Sequence, residues 1–335
     1  MRIGVLCSGG DAPGMNACVR AVVRSATARG HEVIGIRHGY RGMIDEDFYP
    51  ARGESTAAAP GNVMSPRTVS DWLRYGGTFL RTSRCPEFRT EEGMRRAAEI
   101  LSKHKIEGVV IIGGDGSLRG AEAFSEYYGG LLVGCPGTID NDLLGTDYTI
   151  GFSSAVRTAV EAVDMIRDTA DSHERMFLIE VMGRHSGYIA AYTALGTGAE
   201  SVCIPETPTD VPAIIDYLKE LKARGKSSVM MVVAEGDEAG GAATLHQQLQ
   251  EAGAPYSMRV LILGHLQRGG SPTVEDRLLA SRLGDEAVTG LLEGRTGMMV
   301  GVIHRELTWT RFPDTYAAHK PIPLSTIELI ERLSH

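Results

Sequence analysis

Two short acidic signatures carry the chemistry most readily read from this chain: Gly113-Gly114-Asp115-Gly116-Ser117 and Gly137-Thr138-Ile139-Asp140-Asn141-Asp142. Glycines in the first let backbone N–H groups come close enough to cradle a phosphate. A carboxylate inside such a cradle is repulsive unless a cation lies between them, so Asp115 implies Mg²⁺. In the second signature Asp140 and Asp142 stand at alternate positions. Transfer to a hydroxyl needs a base for its proton, and with no histidine beside either signature an aspartate is the natural candidate. Acids grouped around a phosphate cradle imply phosphoryl transfer. The other reading of Asp140 and Asp142 is an Asx-turn, with both carboxylates bonding backbone N–H groups.

Further residues of the same kind recur along the chain. Ser8-Gly9-Gly10-Asp11-Ala12-Pro13-Gly14-Met15-Asn16 is a second glycine-rich turn, and beside the first acidic one it favours phosphate or nucleotide contact over plain turn chemistry. Arginines cluster near glycine-rich segments: Ser172-His173-Glu174-Arg175, Met182-Gly183-Arg184-His185-Ser186-Gly187, Arg259, and Gly264-His265-Leu266-Gln267-Arg268-Gly269-Gly270-Ser271-Pro272. A guanidinium fork matches phosphate bidentately, whereas a lone arginine is commonly a solvated surface group. Arg20 and Arg24 share one helical face, for which the plain reading is again solvation.

The elements that must hold these residues are short apolar strands alternating with amphipathic stretches, the pattern of parallel β/α units. Strands are expected over Ile3–Cys7, Val33–Ile36, Val109–Ile112, Leu131–Cys135, Phe177–Val181, Ser201–Ile204, Val229–Ala234, Val260–Leu263 and Met299–Ile303. Helices are expected from Ser117, over Glu91–His104, over Asp276–Leu292, and through the face formed by Ala155, Val156, Ala159, Val160, Val163 and Ile166. Both acidic signatures then follow strands, and in open α/β sheets ligands sit outside the carboxyl ends of strands. The two turns should open into one crevice. Residues from about Asp45 to Pro66 lack a clear period and read as a surface excursion. A lobe boundary is expected near Gly151, unmarked by any linker.

Composition narrows the class. With 335 residues, 43% hydrophobic and 23% charged, the chain suits two α/β lobes of a soluble protein. A net charge of −8 argues against nucleic-acid and anionic-membrane partners. Five scattered cysteines without Cys-x-x-Cys spacing read as reduced thiols in a cytoplasm. No apolar run reaches membrane-spanning length, and Met1-Arg2 leads directly into strand residues and not into a signal peptide.

Assembled in this order, the motifs Ser8-Gly-Gly-Asp-Ala-Pro-Gly14, Arg84-Cys-Pro-Glu-Phe88, Gly113-Gly-Asp-Gly-Ser117, Pro136-Gly-Thr-Ile-Asp-Asn-Asp142, Met182-Gly-Arg-His-Ser-Gly187 and Gly264-His-Leu-Gln-Arg-Gly-Gly-Ser-Pro272 closely resemble the bacterial ATP-type 6-phosphofructokinases, from Arg2 to roughly Gly301. A lone Gly-Gly-Asp-Gly is shared with lipid and NAD kinases; the whole set is specific. The resemblance implies two Rossmann-like lobes with mostly parallel sheets: a larger ATP-binding lobe of residues 1–151 plus about 267–317, and a smaller fructose 6-phosphate lobe of about 152–266 plus 318–335. It implies transfer of the γ-phosphoryl of MgATP to the 1-hydroxyl of fructose 6-phosphate, a step of glycolysis. Asp140 matches the base and Asp115 the Mg²⁺ residue. Thr138 and Asp142 match supports of the transferred group, and Arg84 and Arg184 lie near it. Positions matching the ATP site are Gly10, Tyr40, Arg84, Cys85, Gly116, Ser117 and Gly120. Those matching the sugar-phosphate site are Met182, Gly183, Glu235, His265 and Arg268, with Arg175 and Arg259 reaching in from a neighbouring subunit of a homotetramer.

The same resemblance bears on donor and regulation. Pyrophosphate-dependent relatives carry an acid where this chain has Gly116 and a lysine where it has Gly137, so ATP is the expected donor. A pyrophosphate-dependent or dual-donor enzyme is the nearest alternative. A regulatory subunit without activity is disfavoured, because Asp115, Asp140, Asp142 and Arg184 are all present. Arg20, Arg24, Asp71, Arg167, Gly198, Glu200, Arg224 and Lys226 match the family's effector site for ADP or phosphoenolpyruvate. Two departures stand out: Ser227 and Ser228 replace a lysine and a histidine, and Pro66, or Arg67 one place along, aligns with another arginine. A weakened or altered effector response is expected.

Overall fold

The computed structural model describes residues 1–50 and 62–333. In chain order its elements are β1 (Arg2–Ser8), α1 (Met15–Ala28), β2 (Glu32–Ile36), α2 (Tyr40–Asp45), β3 (Val63–Met64), α3 (Glu91–Lys103), β4 (Gly108–Gly113), α4 (Asp115–Phe124), β5 (Leu131–Thr138) and β6 (Ile150–Gly151). There follow α5 (Phe152–His173), β7 (Arg175–Val181), α6 (Tyr188–Thr197), β8 (Ser201–Cys203), α7 (Val211–Ala223), β9 (Val229–Ala234), α8 (Gly241–Glu251), β10 (Ser257–Ile262), α9 (Val274–Leu292), β11 (Met298–Ile303), β12 (Glu306–Arg311), α10 (Phe312–Thr315) and α11 (Leu324–Leu333).

The chain forms two compact units, Met1–Ser154 with Arg268–His319, and Ala155–Gln267 with Lys320–His335. In the first, strands lie in the order β12-β11-β5-β4-β1-β2-β3, with β6 pairing in parallel beside the end of β5. Pairing is parallel except at the two margins, where β12 and β3 run antiparallel to their neighbours. In the second unit β10-β7-β9-β8 is wholly parallel. Strands β4 (GVVIIG) and β9 (VMMVVA) are buried at every position. That is what a parallel sheet requires: helical crossovers cover both its faces, so the strands need apolar side chains on each.

Helix starts fall into two kinds. Thr90, Asp210 and Thr273 cap α3, α7 and α9 with side-chain oxygens, accepting from Gly93, Ala213 and Asp276, and each such cap stabilises by about 1 kcal/mol. Helices α1 and α4 begin instead at Gly14 and Gly114 with no side-chain cap. Their first N–H groups are left to other partners.

Several expectations need correction. Strand β5 continues through Pro136-Gly137-Thr138, so the second acidic turn proper starts at Ile139. Helix α4 starts at Asp115 and not at Ser117, placing that carboxylate in the first turn, where the helix dipole favours it. Strands β3, β6 and β12 were not expected, being two residues long or lying at a sheet margin with no buried position. The margins of the 45–66 excursion are part of the fold: Phe48 is buried and bridges to Ile36, and Met64 in β3 is buried. Residues 51–61 of that stretch lie outside the described residues.

Candidate active site

In the first unit three turns converge at the carboxyl ends of adjacent parallel strands β1, β4 and β5. Ser8 pairs with Gly113, and Gly113 with Pro136. A methyl on Gly9 would meet the Ser117 hydroxyl at 3.3 Å, and one on Gly114 would meet the Thr138 side chain at 3.4 Å. The glycine-rich loop, the first acidic turn and the end of β5 therefore lie side by side. The segment bearing Arg84 and Cys85 is tied to the same place. Thr82 Oγ1 donates to Gly9 O at 2.8 Å, and Ser83 Oγ to His38 O at 3.1 Å. Arg84 is exposed and Cys85 half-buried.

Tyr40, Ser117 and Gly120 are also brought together. The Tyr40 hydroxyl donates to Ser117 O, and its ring would lie 3.0 Å from a methyl on Gly120. The ring is buried and stacks on Phe88, with centroids 4.1 Å apart. Tyr40 thus backs the start of α4 from the core side. Gly116, by contrast, is exposed, with no atom within 4 Å of where a side chain would begin. Gly137 is boxed in: a Cβ there would meet Ile112 Cγ2 at 2.9 Å and Met15 Cε at 3.0 Å.

The second acidic turn is anchored by Asn141. Its Oδ1 accepts from Thr149 N at 3.0 Å and its Nδ2 donates to Asp147 O at 3.2 Å, while its φ of 52° is left-handed, a region asparagine tolerates. Thr149 Oγ1 donates to Thr138 O at 2.6 Å, and Asp140 N donates to Thr138 Oγ1 at 3.2 Å. Asp140 is 4% exposed, Asp142 half-buried. Asp115 keeps its side chain 40% exposed, 4.0 Å from Arg119 one helical turn on. Arg268 belongs to this unit: its guanidinium lies over Gly10 and donates to Asp11 O at 2.9 Å.

In the second unit Met182-Gly183-Arg184, Glu235 and His265 follow β7, β9 and β10, which are neighbours in the sheet. Arg184 is exposed with a left-handed φ of 55°, and its N–H donates to Glu235 Oε1 at 2.9 Å. A side chain on Gly236 would run into Arg184 O. Fully buried Gln267 links two of these turns, accepting from Met182 N at 3.3 Å and donating to Gly264 O at 3.1 Å. Arg175 opens β7 half-buried, and Arg259 is exposed on the marginal strand β10, donating to Met258 O at 2.7 Å.

The candidate effector residues fall into two groups. In the first unit Arg20 and Arg24 lie on α1, and Asp71 is exposed. Arg20 Nε is buried without a partner among the described residues, and burial, with Arg24 alongside, lowers its pKa. In the second unit buried Glu200 gathers Lys226 at 2.6 Å and Arg167 at 4.0 Å, Arg167 donating also to Thr197 O, just before Gly198. Arg224 pairs with Glu220 on its own helix side. Ser228 is buried and bonded to Asp171.

Asn141, Thr149, Gly236 and Gln267 support these turns without having been singled out from sequence. Their signals, an Asn between two aspartates and a Glu-Gly after a buried strand, are common enough to pass unread. Among the described residues no group of three or more His, Cys, Asp or Glu could hold a metal by itself. A Mg²⁺ ion normally enters such a site with substrate phosphates and one or two carboxylates. Half-exposed Asp115, at an uncapped helix start beside open Gly116, suits that mode.

A family model described as Phosphofructokinase matches residues 2–291. The chain is 50% identical over 333 residues to ATP-dependent 6-phosphofructokinase 1 of Thermus thermophilus, covering 99% of each. It is 46% identical to the ATP-dependent 6-phosphofructokinase of Cytophaga hutchinsonii, over 99% of this chain and 98% of that one. Among solved structures, phosphofructokinase from Saccharomyces cerevisiae matches with a TM-score of 0.85 at 33% identity, and the chain spans about half of that protein (48%). A pyrophosphate-dependent phosphofructokinase from Marinobacter aquaeolei, at 20% identity and a TM-score of 0.82, shares the fold. Matched by the family model over most of its length and by relatives end to end, the chain belongs to the phosphofructokinase family.

Proposed function

We propose that the chain is an ATP-dependent 6-phosphofructokinase, the activity its full-length bacterial relatives are named for. It moves the γ-phosphoryl of ATP to the 1-hydroxyl of fructose 6-phosphate, giving fructose 1,6-bisphosphate and ADP. The observation that carries this reading is the junction of Gly114 with Thr138: an uncapped, glycine-lined helix start lies against the strand end that leads to Asp140.

On this reading Asp140 takes the hydroxyl proton as the new O–P bond forms and the bond to the ADP leaving group breaks. Backbone N–H groups at the start of α4, with Arg84 and Arg184, offset the charge of the moving phosphoryl group. Thr138 and Asp142 hold its surroundings. Asp115 would hold Mg²⁺, which when bound draws charge from the donor phosphates. Such transfer depends on positioning and charge neutralisation more than on covalent catalysis. Gly10, Tyr40, Cys85, Gly116, Ser117 and Gly120 serve the nucleotide; Met182, Gly183, Glu235, His265 and Arg268 serve the sugar phosphate. Arg175 and Arg259 act in a neighbouring copy's site, within a homotetramer. The first unit is the ATP-binding lobe and the second the sugar-phosphate lobe.

The two glycines favour ATP over pyrophosphate. Open space at Gly116 leaves the nucleotide's phosphates free of an acid, and a lysine at position 137 would have to displace Ile112 or Met15. A cytoplasmic setting suits five free thiols; among the described residues no helix is long and apolar enough to cross a membrane.

The test is Asp140→Asn, compared with wild type in forming fructose 1,6-bisphosphate from fructose 6-phosphate and MgATP. Loss of a general base lowers kcat by about 10²–10⁴-fold, with KM for the sugar phosphate little changed. A variant within a few-fold of wild-type kcat would exclude Asp140 as the base.

A further inference from the structure

Asp276 lies outside every signature above, yet its carboxylate joins the turns of the first unit. It is 1% exposed. One oxygen accepts from Gly151 N at 2.8 Å; the other accepts from Ser154 N at 2.8 Å, Ser154 Oγ at 2.6 Å and Thr273 Oγ1 at 3.4 Å. Ser154 Oγ in turn accepts from Thr273 N at 3.0 Å. The capping of α9 uses only the backbone N–H of Asp276, which donates to Thr273 Oγ1. Its carboxylate reaches residues 122 and 125 positions away. A buried charge is unfavourable unless its donors are well placed, so this one is held in a fixed geometry by several at once.

What that geometry fixes is β6. Ile150 and Gly151 pair with Gly137 and Thr138, the last two residues of β5. A side chain on Gly151, whose φ is 105°, would run into Ala12 and meet Ile139 at 3.2 Å; one on Gly14 would meet Ile150 at 2.7 Å and Asp276 Cβ at 3.5 Å. The two-residue strand is therefore wedged among the first glycine-rich loop, the second acidic turn and α9. So short a ladder cannot hold its own register. Thr149 secures one end through Thr138 O and Asn141. Asp276 secures the other.

We propose that Asp276 is a positioning residue for phosphoryl transfer: its carboxylate locks β6, and β6 sets Thr138 and, two residues on, Asp140. The inference rests on the reading of Asp140 as base. In Asp276→Asn an amide N–H₂ faces donors on one side or the other, and β6 loosens. A displacement near 1 Å at a reacting group lowers rates by up to about 10²-fold. The expected result is a kcat lowered about 10–100-fold, KM for both substrates within about 3-fold of wild type, and an unchanged circular dichroism spectrum at the assay temperature. A merely structural role would lower the melting temperature and leave kcat per folded molecule within about 2-fold; that outcome overturns the proposal. Wild type assayed alongside separates the two claims, since its failure to form fructose 1,6-bisphosphate would refute the functional reading instead. Should Asp276→Asn not fold, Ser154→Ala keeps the carboxylate and both backbone donors but removes the hydroxyl bridge. It should lower kcat several-fold at unchanged KM, and wild-type kcat in that variant contradicts the proposal.

Discussion

Arg184 sits in a left-handed backbone conformation, where a residue with a side chain is held at a cost of about 1–3 kcal/mol. Two neighbours hold it there: Glu235 takes its N–H, and Gly236 leaves room for its carbonyl. In Gly236→Ala the added methyl would run into Arg184 O, so the turn must move. Stability should fall by about 1–3 kcal/mol, and kcat/KM for fructose 6-phosphate by at least ~10-fold, since a misplaced binding group loses its charge-assisted bonds. Steady-state kinetics over a fructose 6-phosphate series checks this, and a wild-type kcat/KM would remove Arg184 from the phosphoryl-transfer reading. At this scale the chain advertises its acids well. Asp115 and Asp140 stand in short motifs whose glycines and spacing carry meaning by themselves. The supports do not: Asn141 and Asp276 acquire their roles from Thr149, Gly151 and Ser154, partners that only folding brings near.

Among the elements, the end of α2 is pinned to the end of α3 through Glu46, whose carboxylate meets Lys103 at 2.8 Å and His104 at 2.6 Å. The Lys103 bond first, then the His104 bond, holds the Glu46 carboxyl below the usual glutamate range. A depressed carboxyl pKa contributes stability above its unfolded value, about 4.3, and loses it as pH falls through the folded value. Because the group is partly exposed, Glu46→Gln should destabilise by only about 0.2–1 kcal/mol at pH 7, the difference from wild type shrinking below about pH 4. Urea unfolding at pH 7 and pH 3 reads this directly; a difference that grows on acidification would have the wrong sign. Buried apolar runs such as Val109–Ile112 and Val229–Ala234 declare their strands without help from context. The end of β5 hid behind Pro136 and Gly137, residues that signal a turn locally but lie here in a buried strand. β12 has no apolar run to mark it, being stabilised by its pairing with β11.

For the whole molecule, the alternation of strands and helices made a parallel α/β architecture legible, because parallel strands need helical crossovers and leave that rhythm in the chain. Regulation is less open to such reading. Ser227 and Ser228 stand where the resemblance expects a lysine and a histidine, and Ser228 is turned into a buried bond with Asp171, so on that resemblance we propose fewer basic groups for a phosphorylated effector. Each missing charge-assisted bond removes about 1.5–3 kcal/mol. ADP activation and phosphoenolpyruvate inhibition should be weak or altered in saturation curves for fructose 6-phosphate; strong, ordinary responses to both would contradict this. The central claim concerns the donor and the reaction, and one measurement reaches both: fructose 1,6-bisphosphate formed from fructose 6-phosphate and Mg²⁺, with ATP and pyrophosphate supplied separately. Product with ATP alone is the predicted result. Product with pyrophosphate would contradict the donor assignment built on Gly116 and Gly137, and no product with either would contradict the proposed activity itself.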